Sequence, residues 1–464
     1  YHYHQDPNFY YLTGYKEPHS LLLLFSTDHP IYDEILFVQP RNPKAEQWNG
    51  KRLGVVGAKK QLGFKNVFKN SDFQHFKINF KSFDKVLFFD FKNDVRDIKN
   101  TTNDLFSLIQ QFKDKTDFPS DFDASRQQVY ELIKTTSVAN AANVAQILER
   151  KMVYNPSLKT DPLINAFFQA TSEQQRLEMK QKLLQKLPTT NLNTTILPEI
   201  MNRMREVKTV EELELMKKAI RVSSIAQIEV MKAMHPTLSE TEIQGIHEFV
   251  YRKYGIPFEG YPSIVGGGNN GCILHYTQNN KPKVGNELVL MDLGAEFHGY
   301  TADITRTIPA NGVFSNEQRI IYQLVLAAQE AGIEAAQVDA PFSAPHKAAR
   351  EVIANGLLSL GIISNESDVA TYFPHGTSHY LGLDVHDAGS VEENNKPRKL
   401  MPGMVTTVEP GIYIRPNKPE IEFKLLERDP KEIRERRKLL GMEKATKLEN
   451  EEIKDAKSIK HKIP

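Results

Sequence analysis

The chain of 464 residues contains one cysteine and one tryptophan, and it carries almost no net charge. Because Cys272 has no second cysteine to pair with, an internal disulfide is excluded and the fold must hold without one. A formal charge of +1 gives no long-range attraction to nucleic acid or to an anionic membrane surface. Apolar runs such as residues 21–25 have the length of a strand and cannot cross a bilayer. We therefore expect neither a nucleic-acid partner nor a membrane.

What is present is typical of a large globular protein with more than one domain, since 40% of the residues are hydrophobic. Residues 1–203 mix short apolar runs with amphipathic stretches, one of them at 173–187, which predicts a smaller α/β domain with a helical insertion. Strand and helix patterns alternate through residues 204–423 and predict a second domain. Lys, Arg and Glu dominate residues 424–464, which predicts a charged tail that is helical or disordered.

Two helix starts are marked by capping boxes. Thr209 is followed three positions later by Glu212 and then by apolar residues at helical spacing, which predicts a long helix opening the second domain. Ser239 and Glu242 repeat the same signature at the start of the next helix.

The strongest functional signal is a set of histidines and acids drawn from separate stretches. Residues 375–387 hold three histidines and two aspartates in thirteen positions, and Asp292, Asp303 and Glu409 lie elsewhere. An apolar run before Asp292 and a second run at 300–308 predict neighbouring antiparallel strands, so the two aspartates would face one another. Carboxylates about 5 Å apart destabilise a sheet unless a cation neutralises them. This oxygen-rich set favours Mn²⁺ over the structural zinc held by cysteine clusters.

The same residues have other interpretations. A single acid could be a solvated loop residue, and a lone histidine is often a satisfied polar group. His375 and His379 have the spacing of a zinc-protease helix, although Gly376 argues against a helix there. Tyr261 and Tyr413 could line a pocket or fill the core. The joint pattern is nevertheless much less expected by chance than any of its members.

From Asp6 to about Tyr413 the chain resembles the aminopeptidase P and prolidase group, the pita-bread metallopeptidases. Residues 6–18 (DPNFYYLTGYKEP), 41–54 (RNPKAEQWNGKRLG), 264–266 (IVG) and 274–277 (LHYT) carry the resemblance beside the acids and histidines. The first two are more similar to aminopeptidase P than to the dipeptide-specific prolidase. The resemblance implies an α/β (α+β) protein with a smaller creatinase-like N-terminal domain and a C-terminal pita-bread domain.

The resemblance also implies a metal-dependent aminopeptidase that hydrolyses the Xaa-Pro bond at peptide N-termini. Asp292 would bind one of two divalent metal ions, Asp303 would bridge both, and His379 would bind the other. Glu409 would be a shared ligand and a proton shuttle. Mn²⁺ is expected, with Zn²⁺ or Co²⁺ as alternatives, and a bridging hydroxide would attack the peptide carbonyl.

Further residues are implied at the substrate. His275, His375 and His386 would surround it, and His275 or His386 would donate to the developing oxyanion. Trp48 is most simply a packing residue, while the resemblance suggests a substrate contact across a subunit boundary. The expected partners are peptides with proline at position two and further copies of the chain, in a homodimer or homotetramer.

The sequence departs from the family after Glu409. These enzymes normally continue to a Gly-Val-Arg-Ile-Glu-Asp strand whose glutamate is the fifth ligand. In this chain the arginine position is occupied by Glu420 and the aspartate position by Phe423, which leaves Glu422 as the local candidate for the fifth ligand. A Xaa-Pro dipeptidase (prolidase) and a catalytically impaired pita-bread binding module therefore stay open as alternatives, whereas the intact acids disfavour a metal-free, creatinase-like hydrolase.

The expected location is soluble, with the cytoplasm favoured because a single cysteine fits a reducing compartment. The sequence opens at Tyr1 inside a family-like segment rather than at a methionine. The N-terminal domain is therefore expected to be truncated at its start, and export stays compatible with the sequence.

Overall fold

The computed structural model describes residues 3–26, 32–91, 103–137, 141–393, 396–415, 420–424 and 458–462. For residues 141–143, 420–424 and 458–462 the description is limited to the backbone. Backbone contacts divide the chain into two compact units, Tyr1–Asn202 and Arg203–Pro464. Within the described residues, no helix combines the length and the apolar content that crossing a membrane requires.

The N-terminal unit mixes strands and helices. Its strands are β1 (Leu21–Leu24), β2 (Glu34–Val38), β3 (Val67–Lys69), β4 (Val86–Leu87) and β5 (Leu192–Asn193). Its helices are α1 (Pro7–Thr13), α2 (Pro43–Asn49), α3 (Gly54–Leu62), α4 (Leu105–Lys115), α5 (Ala124–Thr135), α6 (Ala141–Tyr154), α7 (Pro162–Gln169), α8 (Glu173–Gln185) and α9 (Ile196–Arg205), the last of which continues into the second unit. The helix predicted at 173–187 is confirmed as α8.

The central strand β2 organises this unit because both of its faces are buried. It pairs antiparallel with β1 and parallel with β3. Ile35 and Phe37 point into one apolar cluster, while Leu36 and Val38 point into another. A strand buried on two sides has an unbroken apolar sequence, as this one does. Between the paired strands β4 and β5 the chain forms α4 to α8, and the last four of these surround their own apolar core.

The C-terminal unit alternates helices with short strands. Its helices are α10 (Val210–Ala233), α11 (Glu240–Lys253), α12 (Asn316–Ala335), α13 (Ala344–Ser359) and α14 (Val369–Tyr372). Its strands are β6 (Phe258–Glu259), β7 (Ile264–Gly267), β8 (Leu288–Leu293), β9 (Ala295–Phe297), β10 (Tyr300–Thr301), β11 (Ile304–Pro309), β12 (Glu392–Glu393), β13 (Lys396–Pro397), β14 (Glu420–Lys424) and β15 (Ser458–Lys462). The strand orders β11-β8-β7 and β10-β9-β6 define two antiparallel sheets.

Both predicted capping boxes are confirmed at the starts of α10 and α11. The side chains of Thr209 and Ser239 accept from the backbone three residues on, and Glu212 and Glu242 accept from the capping residues in return. The two helices pack on β7 and β8 through a fully buried apolar cluster. Burying each such side chain contributes roughly 1.5–3 kcal/mol, so this layer holds β8 firmly in place.

The strand predicted at 300–308 is interrupted, which corrects the expectation of one continuous strand. A tight turn at His298 and Gly299, both with positive φ, joins β9 to β10, and the ladder then breaks at Ala302 and Asp303. The chain changes partner at this break, because β10 pairs with β9 whereas β11 pairs with β8. Asp303 therefore lies at a bend beside β8 and not inside a regular strand.

Candidate metal centre

Asp292 and Asp303 converge on one phenol. In β8 fully buried side chains alternate with partly buried ones, and Asp292 is one of the partly buried set, so it points away from the apolar layer. The hydroxyl of Tyr261 donates to Oδ1 of Asp292 at 2.6 Å and lies 3.4 Å from Oδ1 of Asp303. Burial, together with the charge of Asp303, raises the pKa of Asp292 to about 7. The two acids therefore share one hydroxyl, although Thr305 and not Asp303 lies opposite Asp292 in the sheet, and two carboxylates this close favour a bound cation.

His379 and Glu409 are brought together by backbone hydrogen bonds between two irregular segments. Thr407 N–H donates to His379 O at 3.0 Å, and Glu409 N–H donates to Thr377 O at 2.9 Å. The hydroxyl of Thr407 accepts from His379 N–H and donates to Oε1 of Glu409, both at 3.0 Å. Thr407 therefore fixes both side chains, although nothing in the sequence singled it out.

The ring of His379 is oriented as a metal ligand would be. Its Nδ1 lies 2.9 Å from Tyr380 O, a carbonyl that can only accept, so Nδ1 carries the hydrogen. Nε2 points to the acids, 3.0 Å from Oε1 of Glu409 and 3.4 Å from Oδ2 of Asp303. Burial opposes protonation of the ring, but the hydrogen bonds to Asp303 and Glu409 outweigh it and raise the pKa of His379 to about 10. A cation would compete with a proton for this position.

The donor set fits a divalent ion. Carboxylate oxygens and an imidazole nitrogen are ligands that divalent ions such as Zn²⁺ and Mn²⁺ accept. In the described part of the chain, however, no group of three or more His, Cys, Asp or Glu side chains stands in an arrangement that could hold a metal ion. His379 bonds directly to the carboxylates, so its ring fills the space between them. Small rotations of these side chains would therefore be needed to admit an ion.

Two more predicted histidines lie at the exposed edge of this centre. The ring of His386 is 4.4 Å from the ring of His379. Burial lowers the pKa of His386, and the charges of His379 and His275 lower it further. His275 is itself exposed and follows a short helical turn after β7. Its neighbour Tyr276 donates to the fully buried Glu240 at 2.9 Å, which holds this segment.

His375 is linked to Tyr413. Its Nδ1 lies 2.7 Å from Gly376 O, so Nδ1 donates and Nε2 accepts from the Tyr413 hydroxyl at 3.0 Å. Burial and the negative charges of Glu409 and Asp292 raise the pKa of Tyr413. The segment around His375 is not helical, so the zinc-protease helix is excluded as an interpretation.

Two sequence expectations have other outcomes, and one histidine near the centre was missed. Trp48 is 87% exposed within its unit, so the interpretation as a packing residue is wrong, and a substrate contact stays a prediction. Residues 420–424 form β14, which pairs with β15, but the side chain of Glu422 lies outside the described residues. His346 was not singled out by the sequence, and its Nδ1 lies 2.9 Å from the Thr377 hydroxyl behind the centre. A lone histidine on a helix gives no signal that could have identified it.

Comparisons with known proteins now identify the family. The profile described as the aminopeptidase P N-terminal domain matches residues 1–86, and that of metallopeptidase family M24 matches residues 214–441. The chain is 33% identical to the Xaa-Pro aminopeptidase of Haemophilus influenzae, an alignment that covers 89% of this chain and 78% of that protein. The chain belongs to metallopeptidase family M24. Over 90% of its length it is also 30% identical to 80% of the Escherichia coli Xaa-Pro aminopeptidase.

Solved structures of this M24 family agree with the fold. The low-pH form of E. coli aminopeptidase P matches with a TM-score of 0.65 at 27% identity, covering 90% of this chain and 80% of that one. Pseudomonas aeruginosa aminopeptidase PepP matches with a TM-score of 0.66 at 28% identity, covering 90% and 79%. The predicted fold class, an aminopeptidase P N-terminal domain followed by a pita-bread domain, is confirmed. Membership of the M24 metallopeptidases also confirms a hydrolase that depends on divalent metal ions.

Proposed function

We propose that this M24 chain is a Xaa-Pro aminopeptidase, which removes the first residue from peptides with proline at position two. The convergence of Asp303 and Glu409 within 3.4 Å of Nε2 of His379 is the observation that carries the chemistry. The substrate class follows from the names of the relatives. A proline amide lacks the N–H that other peptidases bind, so a dedicated enzyme is physically reasonable. No observation favours the dipeptidase or the binding module.

The ligands we propose are Asp292 for one ion, Asp303 between two ions, His379 for the second, and Glu409 shared by both. Glu422 is proposed as a fifth ligand from its position in the sequence alone. Three or four carboxylates and one imidazole form a hard to borderline set, which supports Mn²⁺ as the native ion, with Zn²⁺ or Co²⁺ as substitutes. A zinc-substituted form of E. coli aminopeptidase P has been solved with product.

Bound divalent ions would polarise the peptide carbonyl and lower the pKa of the attacking water. Glu409 is 36% exposed at its side chain, so it can reach both this water and the substrate. We assign it the transfer of a proton from the water to the proline nitrogen that leaves. The exposed rings of His275 and His386 can donate to the carbonyl oxygen, while the Tyr413 hydroxyl orients His375 towards the peptide.

The test measures metal content per chain and release of the first residue from Xaa-Pro-Xaa and Xaa-Pro peptides with added Mn²⁺. Asp303→Asn and Glu409→Gln should lose bound metal and lower turnover by at least about 100-fold, because each removes a charged ligand. Asp339→Asn is the matched control, since this exposed acid lies 3.6 Å from Lys399 on the surface. Glu422→Ala should behave like the ligand variants if the fifth-ligand assignment is right. Absence of turnover on both peptides at saturating metal would contradict the proposed activity.

A further inference from the structure

A glutamine from α10 holds the backbone beside both aspartates. Gln227 is 3% exposed, and its Nε2 donates to Met291 O at 3.1 Å and to Ile304 O at 2.8 Å. Met291 immediately precedes Asp292, and Ile304 immediately follows Asp303. One side-chain amide therefore bridges β8 and β11 at the residues next to the two acids.

A serine on the same face of α10 extends this contact. Ser223 lies one helical turn before Gln227 and is fully buried, and its hydroxyl accepts from Ala295 N–H at 2.8 Å. Ala295 begins β9, which pairs with β10 just before the bend at Asp303. Ala302 N–H donates to Ala295 O at 2.9 Å, so α10 bonds directly to the residue after Asp303 and, through Ala295, supports the residue before it.

Packing alone does not explain Gln227. Its Oε1 is buried and has no hydrogen-bond partner among the described residues. An unpaired buried acceptor costs about 1–3 kcal/mol, so an apolar side chain of the same length would fill this space at lower cost. The benefit must come from the two carbonyl bonds that Nε2 makes.

A second glutamine repeats the arrangement at the other half of the centre. Gln329 in α12 is partly buried, and its Nε2 donates to Val408 O at 3.1 Å. Val408 immediately precedes Glu409. Two long helices therefore each present an amide to the carbonyl directly before a proposed carboxylate ligand.

We propose that Gln227 and Gln329 are positioning residues that set the spacing of the carboxylates and thereby the affinity for metal. This inference rests on the proposed function, because it takes Asp292, Asp303 and Glu409 as ligands. Like-charged carboxylates repel one another, and the amides restrain the backbone against that repulsion before an ion binds. Groups that orient metal ligands typically change metal affinity about 10- to 100-fold when they are removed.

The test replaces each glutamine with methionine, which keeps the length of the side chain and removes the donors. Apoprotein prepared with a chelator is titrated with Mn²⁺ and Co²⁺ by chelator competition, and the visible spectrum of bound Co²⁺ is recorded. Gln227→Met and Gln329→Met should each bind metal about 10- to 100-fold more weakly and shift the Co²⁺ spectrum. Gln337→Met is the matched control, because the exposed Gln337 donates from Nε2 to the nearby Glu334 O at 2.9 Å, and it should leave both readouts unchanged.

The outcomes separate this inference from the ligand assignment. Parental affinity and an unchanged spectrum in both glutamine variants, with metal lost in Asp303→Asn, would overturn the positioning role alone. Metal retained in Asp303→Asn would instead overturn the ligand set. A lower melting temperature of the apoprotein with parental metal affinity would mean that the glutamines only support packing, which also overturns the inference. If Gln227→Met does not fold, the partly buried Gln329 still provides the test.

Discussion

His247 in α11 provides a test of how burial controls charge in the C-terminal unit. It is completely buried, and its ring stacks on Tyr251 with 5.4 Å between ring centroids. Neither ring nitrogen has a hydrogen-bond partner among the described residues. Burial lowers the pKa of His247 from 6.5 to about 3. We expect His247→Leu to stabilise the protein, and we expect this gain to grow as the pH falls.

The magnitude follows from the linkage between protonation and folding. Well above pH 6.5 the imidazole is neutral in the folded and unfolded chains, so its titration contributes nothing to stability. Below this value His247 binds a proton in the unfolded chain, whereas in the folded chain it stays neutral until about pH 3. Stability is therefore lost as the pH falls from 6.5 to about 3. Each pH unit is worth about 1.4 kcal/mol, which gives about 2 kcal/mol at about pH 5. The unpaired ring nitrogens add about 1–3 kcal/mol at any pH.

Urea unfolding of the apoprotein, followed by far-UV circular dichroism at about pH 7.5 and about pH 5, measures both parts. The free energy of unfolding of His247→Leu should exceed that of the parent at both pH values, and by about 2 kcal/mol more at the lower one. His235→Leu is the control, because His235 is exposed and its Nδ1 lies 3.0 Å from the Thr237 hydroxyl. A gain of equal size at both pH values would refute the titration argument, and a loss at both would refute the unpaired state of the ring.

Two further substitutions test the surroundings of the centre. Tyr261→Phe removes the hydrogen bond that lowers the pKa of Asp292, so Mn²⁺ should bind about tenfold more weakly, and the loss of affinity should be larger at acidic pH. Chelator competition at two pH values measures this affinity. An equal loss of affinity at both pH values would contradict the reasoning. In the parent, Nζ of the buried Lys208 lies 2.8 Å from a carboxylate oxygen of Asp387. Asp387→Asn would leave this lysine beside a neutral amide and should lower the free energy of unfolding by about 3–5 kcal/mol. Urea unfolding measures this loss, and a loss no larger than that of Glu214→Gln, in an exposed pair, would contradict it.

The local features of the fold could be predicted from the sequence because each depends on neighbouring residues. Capping boxes at Thr209 and Ser239 predicted helix starts, and the short apolar run before Asp292 predicted a buried strand, which the structure shows to be buried on alternate positions. Periodicity could not predict the bend at Asp303. Ala302 and Asp303 are residue types that strands disfavour, but the change of pairing partner at these residues depends on β9 and β8 and cannot be read from periodicity.

The supporting side chains of the centre could not be predicted for a related reason. Thr407 acts through its hydroxyl on two residues that meet only when segments 377–381 and 405–409 pair. Gln227 acts on carbonyls 64 and 77 positions away along the chain. A glutamine in an amphipathic helix looks like a solvated residue, and only the packing of α10 shows that it is buried.

The two halves of the candidate centre are held by different kinds of backbone structure, and this difference affects how metal binding stabilises the fold. In the first half, which we call the sheet half, an antiparallel sheet under α10 fixes Asp292 and Asp303. In the second half, the ladder half, irregular backbone hydrogen bonds and the Thr407 hydroxyl fix His379 and Glu409. The sheet half rests on a large apolar layer and should persist without a cation, at the cost of a carboxyl whose pKa is raised to about 7. The segments that carry His379 and Glu409 meet in an isolated bridge between Tyr380 and Thr406 and not in a named sheet. Because an ion binds only the arrangement in which both halves are closed, its binding energy should stabilise the ladder half more than the sheet half.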